Sequence, residues 1–189
     1  MATWDTWDQS NYFLTRCMEE LFDTFTPDGK PTGLAPRSRV HREGLWHRAV
    51  NVFLFQTDGR LLIQRRQLSK DVWPGAWDLS VAEHLRPGET YADGAIRGLR
   101  EELGVMGVEL EPLGGVATSL LDIKQTGIRD YEFQQTFRGV YDGPIQPDTE
   151  EVREVKTISL DELCAAFNER PEEFTPWFRQ RSADLSLCQ

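Results

Sequence analysis

Glu101 and Glu102 close a segment whose spacing could do metal chemistry. Thr90 followed by Asp93 reads as a capping box and Gly104 as a stop, which predicts a helix from Tyr91 to Leu103. Ala92, Ala95, Ile96, Leu99 and Leu103 recur at helical spacing and form its expected buried stripe. Glu102 falls at the margin of that stripe and Glu101 on the far side. Gly98, three and four residues earlier, shares their face. Carboxylates at i, i+3 and i+4 gather oxygen ligands on one side of a helix, as a hard divalent cation requires. A capped surface helix with a solvated acidic end accounts for the same residues equally well.

Other elements must aim these groups. Residues 19–25 read as a strand ended by Thr26-Pro27-Asp28-Gly29, and Pro31-Thr32-Gly33 continues into a loop carrying Arg37, Arg39, His41 and Arg42. His47 to Gln56 is rich in β-formers. Thr57-Asp58-Gly59-Arg60 turns it into a returning strand, Leu61 to Arg66. Trp77 to Val81 is a short strand leading to the helix. Strands are also expected at 108–110, 115–123, 131–141 and 154–158. Ser159 with Glu162 caps a further helix through Phe167, and Thr175-Pro176 starts a terminal one. Strands on both sides of one central helix, with helices at the end, predict an α+β fold rather than alternating βαβ units.

The net charge of −10 argues against nucleic acid or an anionic membrane surface as the main partner. Gathered basic residues could still bind phosphate. No apolar run reaches the length of a membrane span and no signal-peptide pattern opens the chain, so a cytoplasmic protein is expected. Cys17, Cys164 and Cys188 lack metal or redox spacing and read as reduced thiols. The organisation expected is an N-terminal arm over residues 1–18 and one domain over 19–189. Trp4, Trp7, Tyr12 and Phe13 read as part of a mobile arm, the alternative being aromatic anchors on a partner subunit in a homodimer.

Glu89, Arg97, Leu99, Glu101, Glu102, Gly104 and Val105 together resemble the Nudix box, a loop–helix–loop whose carboxylates hold divalent metal against a diphosphate. The resemblance implies a Nudix α/β/α sandwich with a mixed central sheet, and Glu89 and Glu102 among the metal ligands. Glu83 stands where the box opens with glycine, and Gly98 where it has a glutamate after the arginine. Gly94 and Gly98, one turn apart, cost the helix about 1 kcal/mol each against alanine. They read as a smooth groove where a packed segment, rather than a ligand, approaches.

A narrower resemblance runs from residue 19 to about residue 180. Leu61-Leu62-Ile63-Gln64-Arg65-Arg66, Leu68-Ser69-Lys70, Trp73-Pro74-Gly75-Ala76-Trp77 and Phe174-Thr175-Pro176-Trp177 are similar to the type I isopentenyl-diphosphate isomerases. That resemblance implies a Mg²⁺ or Mn²⁺ site made by His41, His47, His84, Asp130 and Glu132. Residues 130 and 132, two apart on a strand, point to one face. It also implies Arg37, Arg66 and Lys70 as diphosphate contacts, and Trp177 as an aromatic face toward a cationic substrate.

Ala82 falls where those isomerases carry a catalytic cysteine, and Leu120 where they carry a tyrosine. Alanine has no proton to give, so acid–base chemistry on both faces of an alkene loses one face. The remaining groups favour attack of water on a metal-held diphosphate, with Glu101, Glu102 or Glu132 orienting the water. The order of expectation is a metal-dependent hydrolase of a small diphosphate-linked molecule, a prenyl diphosphate among the candidates. An isomerase with altered acid–base groups comes next, then a weakly catalytic ligand- or partner-binding protein.

Overall fold

The computed structural model of the chain describes residues 19–124 and 126–188, so the expected arm at 1–18 and Cys17 lie outside the described residues. The elements are β1 (Leu21–Phe25), β2 (Pro31–Pro36), α1 (Arg37–Glu43), β3 (His47–Phe55), β4 (Leu61–Arg66), β5 (Trp77–Asp78), β6 (Val81–His84), α2 (Tyr91–Leu103), β7 (Glu111–Ile123), β8 (Ile128–Val140), β9 (Val152–Ile158), α3 (Leu160–Glu169) and α4 (Pro176–Asp184). One sheet has the order β5-β4-β3-β8-β7, with β6 added to β3 and β9 to β4. β3 and β8 are parallel and the other pairs antiparallel, so the sheet is mixed.

β3 is the middle of this sheet because both its faces are apolar. Val50, Val52 and Leu54 pack with Ala95, Leu99 and Leu103 of α2 on one side. Phe53 and Phe55 pack with Leu163 of α3 and Phe178 of α4 on the other. Each such buried side chain contributes about 1.5–3 kcal/mol of apolar transfer. The capping box of α2 forms as read, with Thr90 accepting from the Asp93 amide, and Gly104 ends the helix in the left-handed region. The buried stripe is rotated from the expected one: Ile96 is 53% exposed, whereas Gly94, Arg97, Gly98 and Glu102 are buried. The close approach of β6 decides this. A Cβ at Gly98 would lie 2.6 Å from Val81 Cγ1, so the groove along α2 is filled by Val81 and Glu83.

The sheet divides at Ser80. β3 and β4 pair only through Leu54–Leu62 and Phe55–Leu61, after which β6 takes the place beside β3. Ser80, fully buried, accepts from the Leu54 amide at 2.8 Å and donates to the Leu62 carbonyl at 2.6 Å, bridging the strands where they part. This interrupts the expected Trp77–Val81 strand, which is two strands, β5 and β6. The split opens a cavity of about 710 Å³ lined from β3, β4, β6, α2 and β8.

Three further expectations are corrected. Residues 31–42 form β2 and α1 instead of a loop: β2 is paired with β1, and Val40 of α1 buries against Phe22 and Ala35. The expected strand at 108–110 is absent, and β7 begins at Glu111. Cys164 and Cys188 form a disulfide, their Cα atoms 5.3 Å apart, because the chain after α4 folds back onto α3. The reduced-thiol expectation therefore fails for this pair.

Candidate metal centre and substrate cavity

Three elements deliver the histidines. His41 comes from α1, His47 opens β3 and His84 ends β6. Asp130 and Glu132 stand two apart on β8, where Glu132 is the register partner of His47. One donor atom each from His41, His47, His84 and Asp130 lies within 4.8 Å of the others. Donors about 2.1 Å from one ion lie up to about 4.2 Å apart, so a small closure brings this set to coordination distance.

The electrostatics fit a cation. His41 Nε2, His47 Nε2 and Asp130 Oδ1 are buried with no hydrogen-bond partner among the described residues. Asp130 Oδ1 lies 3.6 Å from His41 Nε2 and 3.3 Å from His47 Nε2. His47 Nδ1 lies 3.0 Å from the Leu45 carbonyl and carries a proton there, while Nε2 faces Asp130 and Glu132. Burial acts to lower His47, but these carboxylates raise it above the usual imidazole range, so a bound ion would displace a proton from Nε2. Phe22 stacks on the His47 ring at 5.3 Å, backing it with an apolar wall. Burial, followed by the Asp130 charge acting the other way, brings His41 down to about 4. Burial and the neighbouring His47 bring His84 down to about 3. Both rings are neutral at pH 7, as metal ligation requires. Burial acts to raise Asp130, but the contact with His47 and the neighbouring histidine charges hold it well below the usual carboxylate range.

Glu132 divides its two oxygens. Oε1 lies 3.2 Å from His84 Nε2 and 3.7 Å from His47 Nε2, while Oε2 accepts from Gln134 at 2.5 Å. Burial, then the Asp130 charge, pushes its carboxyl up to about 7.

The NUDIX domain family matches residues 45–178. The chain belongs to the Nudix family. It is 34% identical over 161 residues to the isopentenyl-diphosphate Delta-isomerase of Burkholderia multivorans, covering 85% of this chain and 90% of that one. It is 51% identical over 89 residues to Nudix hydrolase 3 of Arabidopsis thaliana, a match covering 46% of this chain and 12% of that protein. Among solved structures, DR0079 from Deinococcus radiodurans superposes with a TM-score of 0.65 at 25% identity, over 80% of this chain and 90% of that one.

The Nudix carboxylates divide into three kinds of environment. Glu89 lies outside the histidine cluster: both its oxygens accept from Arg97 at 2.8 Å, and one accepts from the Arg86 amide at 2.9 Å. Glu101 lines the cavity but is paired with Arg86, Arg97 and Arg100. Glu102 is buried beside the cavity, accepts from Gln64 at 2.6 Å, and is raised well above the usual range by burial and then by Glu83. Arg97 also meets Glu83 at 3.0 Å, so the residue standing for the box's opening glycine is part of the same ion network.

Arg37, Arg66, Lys70 and Trp177 all line the cavity. Each cation already has an acidic neighbour: Asp71 and Glu20 for Arg37, Asp78 for Arg66 and Glu151 for Lys70. Ala82 also lines it, register partner of Asn51 on β3, and Leu120 is 63% exposed and outside the lining. Sequence reasoning missed Gln64, Asp78 and Asn51. The signal available for Asp78 was an acid set between Trp77 and Leu79 in a buried strand. Gln64 and Asn51 gave none, since a single amide in a strand is ordinary.

Proposed function

We propose that this Nudix protein is a metal-dependent hydrolase of a diphosphate-linked small molecule, with a prenyl diphosphate among the candidate substrates. One observation carries the reading: a buried set of donors from His41, His47 and Asp130, without hydrogen-bond partners among the described residues and joined by His84, opens on the cavity that holds Arg37, Arg66 and Lys70. Those residues and Glu132 would hold Mg²⁺ or Mn²⁺, and Glu102 is a further carboxylate ligand candidate. A bound divalent ion supplies Lewis-acid charge that neutralises phosphate oxygens as negative charge develops.

The chain's own groups do the rest. Arg66, Arg37 and Lys70 orient the diphosphate by charge-assisted hydrogen bonds. Glu132, with one oxygen held by Gln134, is the carboxylate that accepts a proton from water aligned for attack. Glu102, anchored by Gln64, is the second carboxylate that can align water, and Glu101 acts through the arginines it holds. Carboxylates outnumber arginine and lysine nine to five along the cavity wall, so an anionic substrate enters with cations rather than alone. The cytoplasm is the compartment of this reading, and a homodimer is its proposed alternative to a monomer.

The isomerase reading has support in the similarity to enzymes of that name. Ala82 weighs against it, because no proton donor stands there opposite Glu132. A panel of nucleoside, sugar and prenyl diphosphates with Mg²⁺ or Mn²⁺ tests both. Phosphate or diphosphate release is expected. Conversion of isopentenyl to dimethylallyl diphosphate without release would establish the isomerase, and melting shifts without turnover would leave a binding protein.

A further inference from the structure

Asp78 is fully buried, and four donors converge on its carboxylate. Thr175 Oγ1 donates at 2.8 Å and the Leu79 amide at 2.9 Å to Oδ1. Trp177 Nε1 lies 2.8 Å from Oδ1 and 3.0 Å from Oδ2. Arg66 Nη1 reaches Oδ2 at 3.3 Å. The Arg66 guanidinium lies over the Trp177 ring at 5.3 Å, and its Nε donates to the Val72 carbonyl at 3.1 Å. Arg66 and Trp177 line the cavity from elements far apart in sequence, β4 and α4, and Asp78 is the group both of them touch.

We propose that Asp78 is a positioning residue for substrate: one buried carboxylate that sets Arg66 and Trp177 together as the wall receiving the diphosphate. This rests on the functional reading above, in which Arg66 contacts the diphosphate.

The chemistry follows from the donor count. An arginine on a flexible stem loses much of its binding contribution to rotamer entropy unless its fork is held in place. Asp78 and the Val72 carbonyl engage the guanidinium at Nη1 and Nε and leave the remaining N–H groups for an anion. The same carboxylate takes the indole N–H of Trp177, so that ring meets substrate with its π-surface rather than as a hydrogen-bond donor. Thr175, the N-cap of α4, ties the start of that helix to the same oxygen and so carries Trp177 to the cavity.

The test is the affinity of the full chain for inorganic diphosphate with Mn²⁺, measured by calorimetry. Asp78→Asn keeps an acceptor for Thr175 and Trp177 but removes the charge that holds Arg66. A roughly tenfold weaker affinity is expected, an effect of about 1.4 kcal/mol. Arg66→Gln is expected to weaken binding too, and the double variant to be no weaker than Arg66→Gln alone, because the two residues act as one unit. Ser159→Ala, which removes the cap of α3 outside the cavity lining, is expected to lower Tm and leave the affinity unchanged. Additive effects in the double variant, or an Asp78→Asn protein that is folded and binds within twofold of wild type, would overturn the proposal while the functional reading stands. A wild-type protein that binds no diphosphate would overturn both. Should Asp78→Asn not fold, a crystal structure of the wild type decides: Arg66 and Trp177 both on Asp78 supports the proposal, and either one turned away overturns it.

Discussion

Gly98 of the Nudix helix lies directly against Val81 of β6, so close that a side chain at 98 would have its first carbon 2.6 Å from Val81 Cγ1. Where the Nudix box has a glutamate, the helix here packs directly on the strand that carries Ala82 and His84. Gly98→Ala gains about 1 kcal/mol of helix propensity but meets a short, buried, β-branched side chain that cannot swing aside. A net loss of roughly 1–2 kcal/mol is expected in urea unfolding. Adding Val81→Ala should return part of it, and stability losses that simply add would refute the contact. Gly98→Glu is expected to lose stability without gaining phosphate release.

Asp130 joins the three histidines in one group of donor atoms within 4.8 Å of one another. Asp130→Asn keeps its size and removes its charge. Mn²⁺ affinity is expected to fall at least about 100-fold and diphosphate hydrolysis with it. Titration of metal into chelator-stripped protein, with the bound ion quantified by elemental analysis, measures this. Unchanged stoichiometry and affinity would remove Asp130 from the site.

His41 gives a pH signature in metal-free protein. Its folded value, about 4, lies below the value near 6.5 of an unfolded chain, because burial disfavours the imidazolium. The unfolded chain therefore takes the proton first. The stability His41 permits is complete above pH 6.5 and is lost as pH falls toward 4. Relative to His41→Gln, wild-type protein in EDTA should lose a few kcal/mol between those limits, read by urea unfolding at several pH values. A difference independent of pH would show that His41 is not buried as described.

The Cys164–Cys188 pair joins α3 to the segment after α4, and the span it closes carries Thr175 and Trp177. In oxidised protein, Cys164→Ser should cost roughly 2–4 kcal/mol of stability. After reduction the two proteins should differ by much less. Thiol labelling of protein taken directly from cells tests the bond there: no label at these two positions is expected, and two labelled thiols would overturn it.

Local pattern carried much of this protein. The capping box at Thr90 and Asp93, the stop at Gly104, the β-rich run from His47 and the turn at Asp58-Gly59 each act over a few residues. Their elements therefore appear within one or two residues of where the sequence puts them. The i, i+2 rule likewise aims Asp130 and Glu132 the same way, because strand geometry leaves no alternative.

Tertiary contact decided the rest. α1 has a single fully buried apolar residue, Val40, and no side-chain cap, so nothing local marked it as the helix that presents His41. Whether Glu89 and Glu101 face a cation or an arginine depended on where Arg97 lies, and β6 settles that by crowding Gly98. Asp78 could be assigned only once α4 had folded back to bring Thr175 and Trp177 beside β5. Spacing along a chain determines which residues share a face, but the partner of a buried charge is chosen by whichever distant group arrives to pair with it.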